Sequence, residues 1–319
     1  MKSWNEKRYN SLDFYLKSTF SKKIYKLSLD AGMTCPNRDG TIGTGGCIFC
    51  SEGGSGDFAS DSTLSITEQI ESAKEMVKDK TKSNQYIAYF QAFTNTYAPL
   101  PYLEKIYMEA IHHPDIVAIS IATRPDCLSE DVLELLARCN QIKPVFVELG
   151  LQTIHEETAQ LIRRGYSLPI FEEAVHNLCK RSIATIVHVI LGLPTETKKE
   201  ILQTIDYLNT MPIHGIKLQL LHVLKHTDLE KLYVDSPSIF YMTEFKEYID
   251  TVIECIEHLR QDIVIHRLTG DGPKSLLIAP TWSANKRLVL NTINQQLALR
   301  GTYQGRKEKH NASGNTDAL

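Results

Sequence analysis

Six short apolar runs, separated by five stretches of helical periodicity, fill residues 24–222. The runs are IYKLSL (24–29), QYIAYFQ (85–91), IVAISIA (116–122), PVFVELG (144–150), TIVHVIL (185–191) and GIKLQLLH (215–222). Between them, residues 66–80, 101–112, 129–139, 168–181 and 198–209 carry the spacing of amphipathic helices. Strand and helix in strict alternation predict an α/β fold, a parallel sheet with its helices outside. Six such units make an open, partial (β/α)6 barrel, not a closed eight-stranded one. From about Leu224 the rhythm changes. A loop with Pro237, a long helix over 243–260, a short strand over 263–268, a Gly-Asp-Gly-Pro turn and a last helix within 285–299 follow. These predict an α/β extension, residues 225–300, packed on the open edge of a barrel formed by 24–224. Residues 1–23 mix Tyr, Phe and Lys and read as an arm or helix. The polar, Gly- and Asn-rich residues 301–319 are expected to be disordered.

Composition narrows the function classes. The longest apolar run, IATIVHVILGLP (183–194), is too short and too polar to span a bilayer, so no membrane partner is expected. The first ten residues lack the apolar stretch of a leader. Seven cysteines, an odd number, argue for a reducing, cytoplasmic location rather than a disulfide framework. The net charge of −3 does not announce a nucleic-acid partner.

Three of the cysteines share one loop, CPNRDGTIGTGGCIFC, directly after the first strand. Cys35 and Cys47 are separated by eleven residues, Cys47 and Cys50 by two. A C-x2-C pair puts two soft thiolates on one metal centre. No fourth soft ligand follows until Cys127, so three thiolates leave one coordination position open. An iron–sulfur cluster with an open iron and a zinc site completed by a distant His or Cys both satisfy this pattern. In β/α barrels functional groups gather where strands end. That rule puts Gln91, Thr94 and Asn95, Thr123 and Arg124, Glu148 and Gln152, His188 and Gly192-Leu193-Pro194, and Gln219, His222 and Lys225 on the same rim as the cysteines. Glu148 pairs there with Arg124 or another buried cation, or else serves a ligand; a lone buried carboxylate is costly. His188 and His222 face the barrel as candidates for substrate binding or proton transfer, with Lys225 beside them. His266, Arg267 and Asp271 are placed to close the substrate end. Cys127, Cys139, Cys179 and Cys255 read as small apolar packing residues.

A strand followed by three cysteines, with Phe49 before the last, resembles the radical S-adenosylmethionine (SAM) enzymes. The commonest spacing there is C-x3-C-x2-C. The longer first gap here resembles the subgroup that includes the catalytic subunit of Elongator. YFQAFTNTYAP (89–99), SIATRPDCL (120–128), VELGLQT (147–153), HVILGLPTET (188–197) and IHRLTGDGP (265–273) resemble a small bacterial family of that subgroup. The resemblance implies that Cys35, Cys47 and Cys50 ligate three irons of a 4Fe-4S cluster whose fourth iron binds SAM. It implies SAM contacts from Gln91 and Asn95, which stand where the superfamily has a Gly-Gly-Glu motif, and from Arg124, Glu148, Gln152 and the Gly192–Pro194 turn. His188, His222 and Lys225 are the expected catalytic residues. A reductant such as flavodoxin or ferredoxin would supply the electron.

The same resemblance implies action on the wobble uridine of a tRNA anticodon loop. Elongator itself carries an acetyltransferase domain for which this chain has no room. Its carboxymethyl-adding chemistry is therefore not expected. Conversion of carboxymethylaminomethyl-(2-thio)uridine to the aminomethyl form is, with a separate methyltransferase acting downstream. A flipped anticodon base needs aromatic and basic residues at the barrel mouth, and Phe93, Tyr97, Tyr102, Arg163, Arg164 and Lys225 are the candidates. Two other readings stay open: a radical SAM enzyme acting on a small metabolite or a protein, and a zinc-stabilised RNA-binding module.

Overall fold

The computed structural model describes residues 4–54, 59–80, 83–270 and 272–308. In chain order the elements are α1 (Leu12–Phe20), β1 (Tyr25–Leu29), α2 (Ile66–Val77), β2 (Tyr86–Phe90), α3 (Leu100–His112), β3 (Ile116–Thr123), α4 (Glu130–Ile142), β4 (Val145–Gln152), α5 (Glu156–Leu161) and α6 (Leu168–Lys180). There follow β5 (Ala184–Leu191), α7 (Lys198–Leu208), β6 (Gly215–Leu220), β7 (Val223–Leu224), α8 (Asp228–Asp235), α9 (Phe245–His258), β8 (Val264–Arg267), β9 (Leu277–Ala279) and α10 (Lys286–Leu299).

Local chemistry fixes where the helices begin. Ser65 caps α2 and Glu68 reaches back to the Ser65 N–H, a reciprocal pair repeated by Thr197 and Glu200 on α7. Pro101 stands in the first turn of α3, where its missing N–H leaves no bond unmade. The outer faces of the strands and the inner faces of the helices then close one apolar core. Phe90, Tyr107, Leu135, Val147, Phe171, Val187, Ile205 and Tyr248 are all buried in it.

The main sheet is entirely parallel, in the order β1-β2-β3-β4-β5-β6-β8. The alternation predicts six strands, and the sheet has seven. The seventh, β8, comes from the segment expected in the C-terminal extension; it pairs with β6 through Gly215–Val264 and Ile216–Ile265. Its four residues are too few for periodicity to tell a sheet member from an isolated strand. The architecture is thus a seven-stranded half-barrel. An antiparallel pair, β7 and β9, sits at its mouth.

The segment after α10 also differs from expectation. Gln304 is fully buried; its amide donates to the Arg260 and Ile263 carbonyls at 2.6 and 2.9 Å, and its Oε1 accepts from Asn10 N at 2.8 Å. Polar composition reads such a stretch as disordered because the carbonyls it satisfies are distant in sequence. Residues 309–319 lie outside the described residues. Among the described residues no helix is long and apolar enough to cross a membrane.

Candidate active site

Cys35, Cys47 and Cys50 line one cavity of about 180 Å³, together with Arg38, Phe49, Thr94, Arg124, Glu148, Gln152, Tyr166 and His188. The loop carrying the cysteines is held from both sides. Asn37, buried, donates to the Arg163 carbonyl at 2.8 Å and accepts on its own carbonyl from Gly46 N at 2.7 Å. Arg38 bonds the Ser51 carbonyl at 2.5 Å and the Glu52 carbonyl at 3.2 Å. Ile48 N donates to the Ile162 carbonyl at 3.2 Å. The loop therefore docks on the turn after α5, whose Gly165 has φ +82°; a Cβ there would lie 2.7 Å from Asn37 Oδ1. Asn37→Ala strips the amide donor from the Arg163 carbonyl and one of two donors from the buried Arg164 carbonyl, which keeps Arg124. It is expected to cost about 1–3 kcal/mol, read as a lower urea midpoint.

The thiols are electrostatically unequal. A hydrogen bond between Cys47 and Cys50 concentrates the negative charge on Cys47, and with the Arg124 and Arg38 charges and the Asn37 amide it outweighs burial, lowering that thiol to about 7. The same bond and burial push Cys50 well up. A sulfur that ionises near neutrality is a ready soft ligand.

Gln152 ends β4 at a register shift, with φ +69° and a buried Oε1 that has no partner. Gln152 thus combines a strained backbone with an unmatched acceptor at the wall of the cysteine cavity.

The other expected residues divide. Arg124 lines the cavity but pairs with Asp126 at 2.7 Å and donates to the Arg164 carbonyl at 2.9 Å, so Glu148 is not its partner. Gln91 and His222 line a second, adjoining cavity of about 460 Å³. Asn95 is buried with its amide donating to the Ala92 and Ala122 carbonyls, both at 3.0 Å, and lines neither cavity. Gly192 and its turn lie beside a third cavity with Met242, Glu244 and Trp282, away from the cysteines; Pro194 is buried next to it. Lys225 is exposed and lines neither of the two joined cavities. Arg164, 2% exposed, binds the Thr153 and Tyr166 carbonyls at 2.7 and 2.9 Å; it is a structural clamp and not a mouth residue. Arg163 pairs with Asp228 at 2.6 Å. Cys127 lies near Asp126, and burial pushes its thiol up to about 12. Asp271 lies outside the described residues.

Inside the barrel every strand from β1 to β6 contributes to one polar network: Lys26, Tyr89, Ser120, Glu148, His188, and Lys217 with Gln219. Glu148, 1% exposed, is the hub. Its Oε1 accepts from Lys26 Nζ at 2.6 Å and Ser120 Oγ at 2.7 Å; its Oε2 accepts from Lys217 Nζ and from His188 Nε2 at 2.8 Å. Four donors fill the four lone-pair sites of one carboxylate. Those donors outweigh the burial that alone would raise Glu148, and hold it well below the ordinary range. Lys217 also donates to the Tyr89 hydroxyl at 3.0 Å. Burial and the Lys217 charge lower His188 to about 4, so its ring is neutral, with Nε2–H on Glu148 and Nδ1 facing Gln219 Nε2 at 3.5 Å. Gln219 Oε1 accepts from Arg267 at 3.2 Å. Lys26, Tyr89, Ser120 and Lys217 are members that motif reasoning misses. A lysine inside the apolar run GIKLQLL is the signal that points to one of them.

Residues 38–208 match the Radical SAM superfamily and residues 213–298 the Radical_SAM C-terminal domain. The chain belongs to the radical SAM superfamily of enzymes, and its cofactors are a 4Fe-4S cluster and S-adenosylmethionine. The zinc alternative left open by the cysteine spacing gives way to iron and sulfide. The chain is 44% identical to the uncharacterized protein YtqA of Bacillus subtilis over 301 residues, 94% of this chain and 93% of that one. It is 27% identical to the tRNA uridine(34) acetyltransferase of Methanocaldococcus infernus over 194 residues, 57% of this chain and 33% of the other. In fold it resembles the archaeal Methanocaldococcus infernus Elp3 lacking residues 1–46, with a TM-score of 0.67 at 15% identity. That match covers 88% of this chain, which spans 64% of the Elp3 chain.

Proposed function

We propose that this enzyme acts on the wobble uridine of tRNA, converting carboxymethylaminomethyl-(2-thio)uridine to aminomethyl-(2-thio)uridine. The observation that carries the reading is the continuity of the two cavities. Phe49, Cys50, Gly54, His188, Ile190 and Gln219 line both, so a group seated in the larger one reaches the cysteine loop. Its volume of about 460 Å³ suits a single modified base. The relative whose name specifies tRNA uridine(34) supports the choice of substrate.

In this reading Cys35, Cys47 and Cys50 hold the cluster, and Gln152 Oε1 accepts from an ammonium or hydroxyl of SAM. Bound there, cluster and SAM would supply a deoxyadenosyl radical able to take one hydrogen from the carboxymethyl carbon; a one-electron acceptor and a water would complete the cleavage, leaving the aminomethyl group and releasing the two carbons as glyoxylate. The chain's own side chains confine the substrate. Phe49, Ile190, Leu220 and Leu221 form the apolar part of the larger cavity's wall. His222 forms its wall, pinned by Gly270 and Gly272, where a Cβ would lie 2.6 and 2.7 Å from the imidazole. Glu148 fixes His188, and His188 fixes Gln219. A flavodoxin- or ferredoxin-type donor supplies the electron, a separate methyltransferase takes the product, and the reaction runs in the cytoplasm. In a deletion strain, mass spectrometry of tRNA nucleosides is expected to show the carboxymethylaminomethyl nucleoside accumulating and its downstream products depleted. Unchanged nucleosides would overturn the assignment.

A further inference from the structure

Two ammonium groups meet one carboxylate inside the barrel. Lys26 and Lys217 both bond Glu148, and each nitrogen lies 4.7 Å from the centre of the Tyr89 ring. Their other hydrogen-bond partners, Ser120 and Tyr89, are neutral hydroxyls. Lys217 is 4% exposed, and two of its three N–H donors are committed to Glu148 and Tyr89. It lines the larger cavity, as does Arg267, whose guanidinium is oriented by Gln219. Burying cations beyond what the local carboxylates balance is unfavourable unless something anionic joins them. A floor of this kind has little reason to exist under a neutral ligand.

We propose that Lys217 and Arg267 form a receiving site for a carboxylate of the substrate at the floor of the larger cavity. The wobble-uridine reading supplies the carrier of that carboxylate, the carboxymethyl group; the site itself rests on the geometry above.

The groups around Lys217 give the proposal a signature. It faces Lys26 from β1, Tyr89 from β2, Glu148 from β4, His188 from β5, and His266 and Arg267 from β8. Burial drives the Lys217 amine down to about 7, against the pull of Glu148 and with help from the Lys26 and Arg267 charges. Burial lowers His266 well below its usual range and raises Tyr89 well above its own. With His188 near 4 and Glu148 held low, Lys217 is the member of this set that changes charge around neutrality. With Lys217 neutral, Lys26 and Glu148 balance. An arriving carboxylate favours the ammonium, so binding takes up a proton. The sign follows: below the free-state pKa Lys217 is already charged and uptake vanishes. Above it uptake approaches one proton, and the affinity falls by up to about tenfold per pH unit.

The test is isothermal titration of the full chain with its cluster oxidised and SAM saturating, so that the SAM carboxylate is already in place. Titrants are 5-carboxymethylaminomethyluridine, its uncharged methylamide, and acetate, each in two cationic buffers of different ionisation heat. At pH 8 the acid nucleoside is expected to bind at least tenfold tighter than the amide with uptake approaching one proton. Lys217→Met should abolish the uptake, and Arg267→Gln should weaken binding at least tenfold while preserving it. Equal binding of acid and amide, binding without proton uptake in the unaltered chain, or no binding of any carboxylate would overturn the site. Acetate binding with uptake, but no advantage for the nucleoside, would keep the site and remove the uridine reading.

Discussion

Cys47→Ala is expected to leave a folded protein that no longer holds a full cluster after anaerobic reconstitution and does not cleave SAM on reduction. Loss of a group that merely orients a metal ligand lowers affinity or activity about 10–100-fold; loss of the ligand itself should exceed that. Cys47 is the residue to remove first because, beyond the Cys50 hydrogen bond, Arg124, Asn37 and Arg38 all act on its sulfur and help lower that thiol to about 7. The residue sits on a loop outside the main apolar core, so the apo variant should melt within a few degrees of the apo parent. Cys127→Ala is the matched control. Its thiol is pushed up to about 12 by burial and does not line the cysteine cavity. Iron and sulfide content and deoxyadenosine yield should be unchanged there. A Cys47 variant that keeps iron, sulfide and SAM cleavage would remove the cysteine loop from the chemistry altogether.

How much of this could be read in advance depends on the range of the signal. The strands and helices of the half-barrel follow local periodicity, and their observed limits fall within a few residues of those it predicts. The short elements do not. β8 becomes a sheet member only because β6 is there to accept it, and α5, α8, β7 and β9 are too brief for a hydrophobic face to register. In the site, Cys35, Cys47 and Cys50 announce themselves by residue type and spacing. Gln152 and His222 were legible from the barrel rule, because position at a strand end is a topological property. The clamp residues were not. Asn37 and Gly165 meet across more than a hundred residues, through a backbone carbonyl and one close approach, and Arg164 acts through the nearer Leu151 and Thr153 carbonyls. Lys225 illustrates the converse error. Leu224 lines the cavity, but Lys225, whose N–H bonds the Leu276 carbonyl beside β9, is exposed, so nearness in sequence to His222 does not bring it there.

Glu148→Gln tests the core that holds these pieces in register. An amide offers one acceptor and two donors where the carboxylate offers acceptors alone, so it cannot satisfy Lys26, Ser120, Lys217 and His188 together. It also leaves Lys26 charged without its counter-ion and forces Lys217 to give up its proton. Removing one partner of a buried ion pair costs about 3–5 kcal/mol, and urea unfolding at pH 6.5 should show a loss of that order. The pH profile separates this from a packing defect. Glu148 in the folded parent is held below its ordinary value, so its contribution is present above the unfolded carboxyl pKa and lost as pH falls through the folded one. Parent and variant should therefore converge in acid. Lys217, with its folded-state pKa lowered, adds stability as pH rises through about 7, because the unfolded chain then binds the extra proton. Without Glu148 that amine is lowered further and gives up its proton below pH 7, so the deficit should also narrow as pH rises towards 7 and level off above about pH 8. A loss constant from pH 4 to pH 9 would mean that Glu148 contributes shape and not charge. Adding Lys26→Met to the variant removes the stranded cation, and recovery of part of the loss at pH 6.5 would place the cost on charge directly.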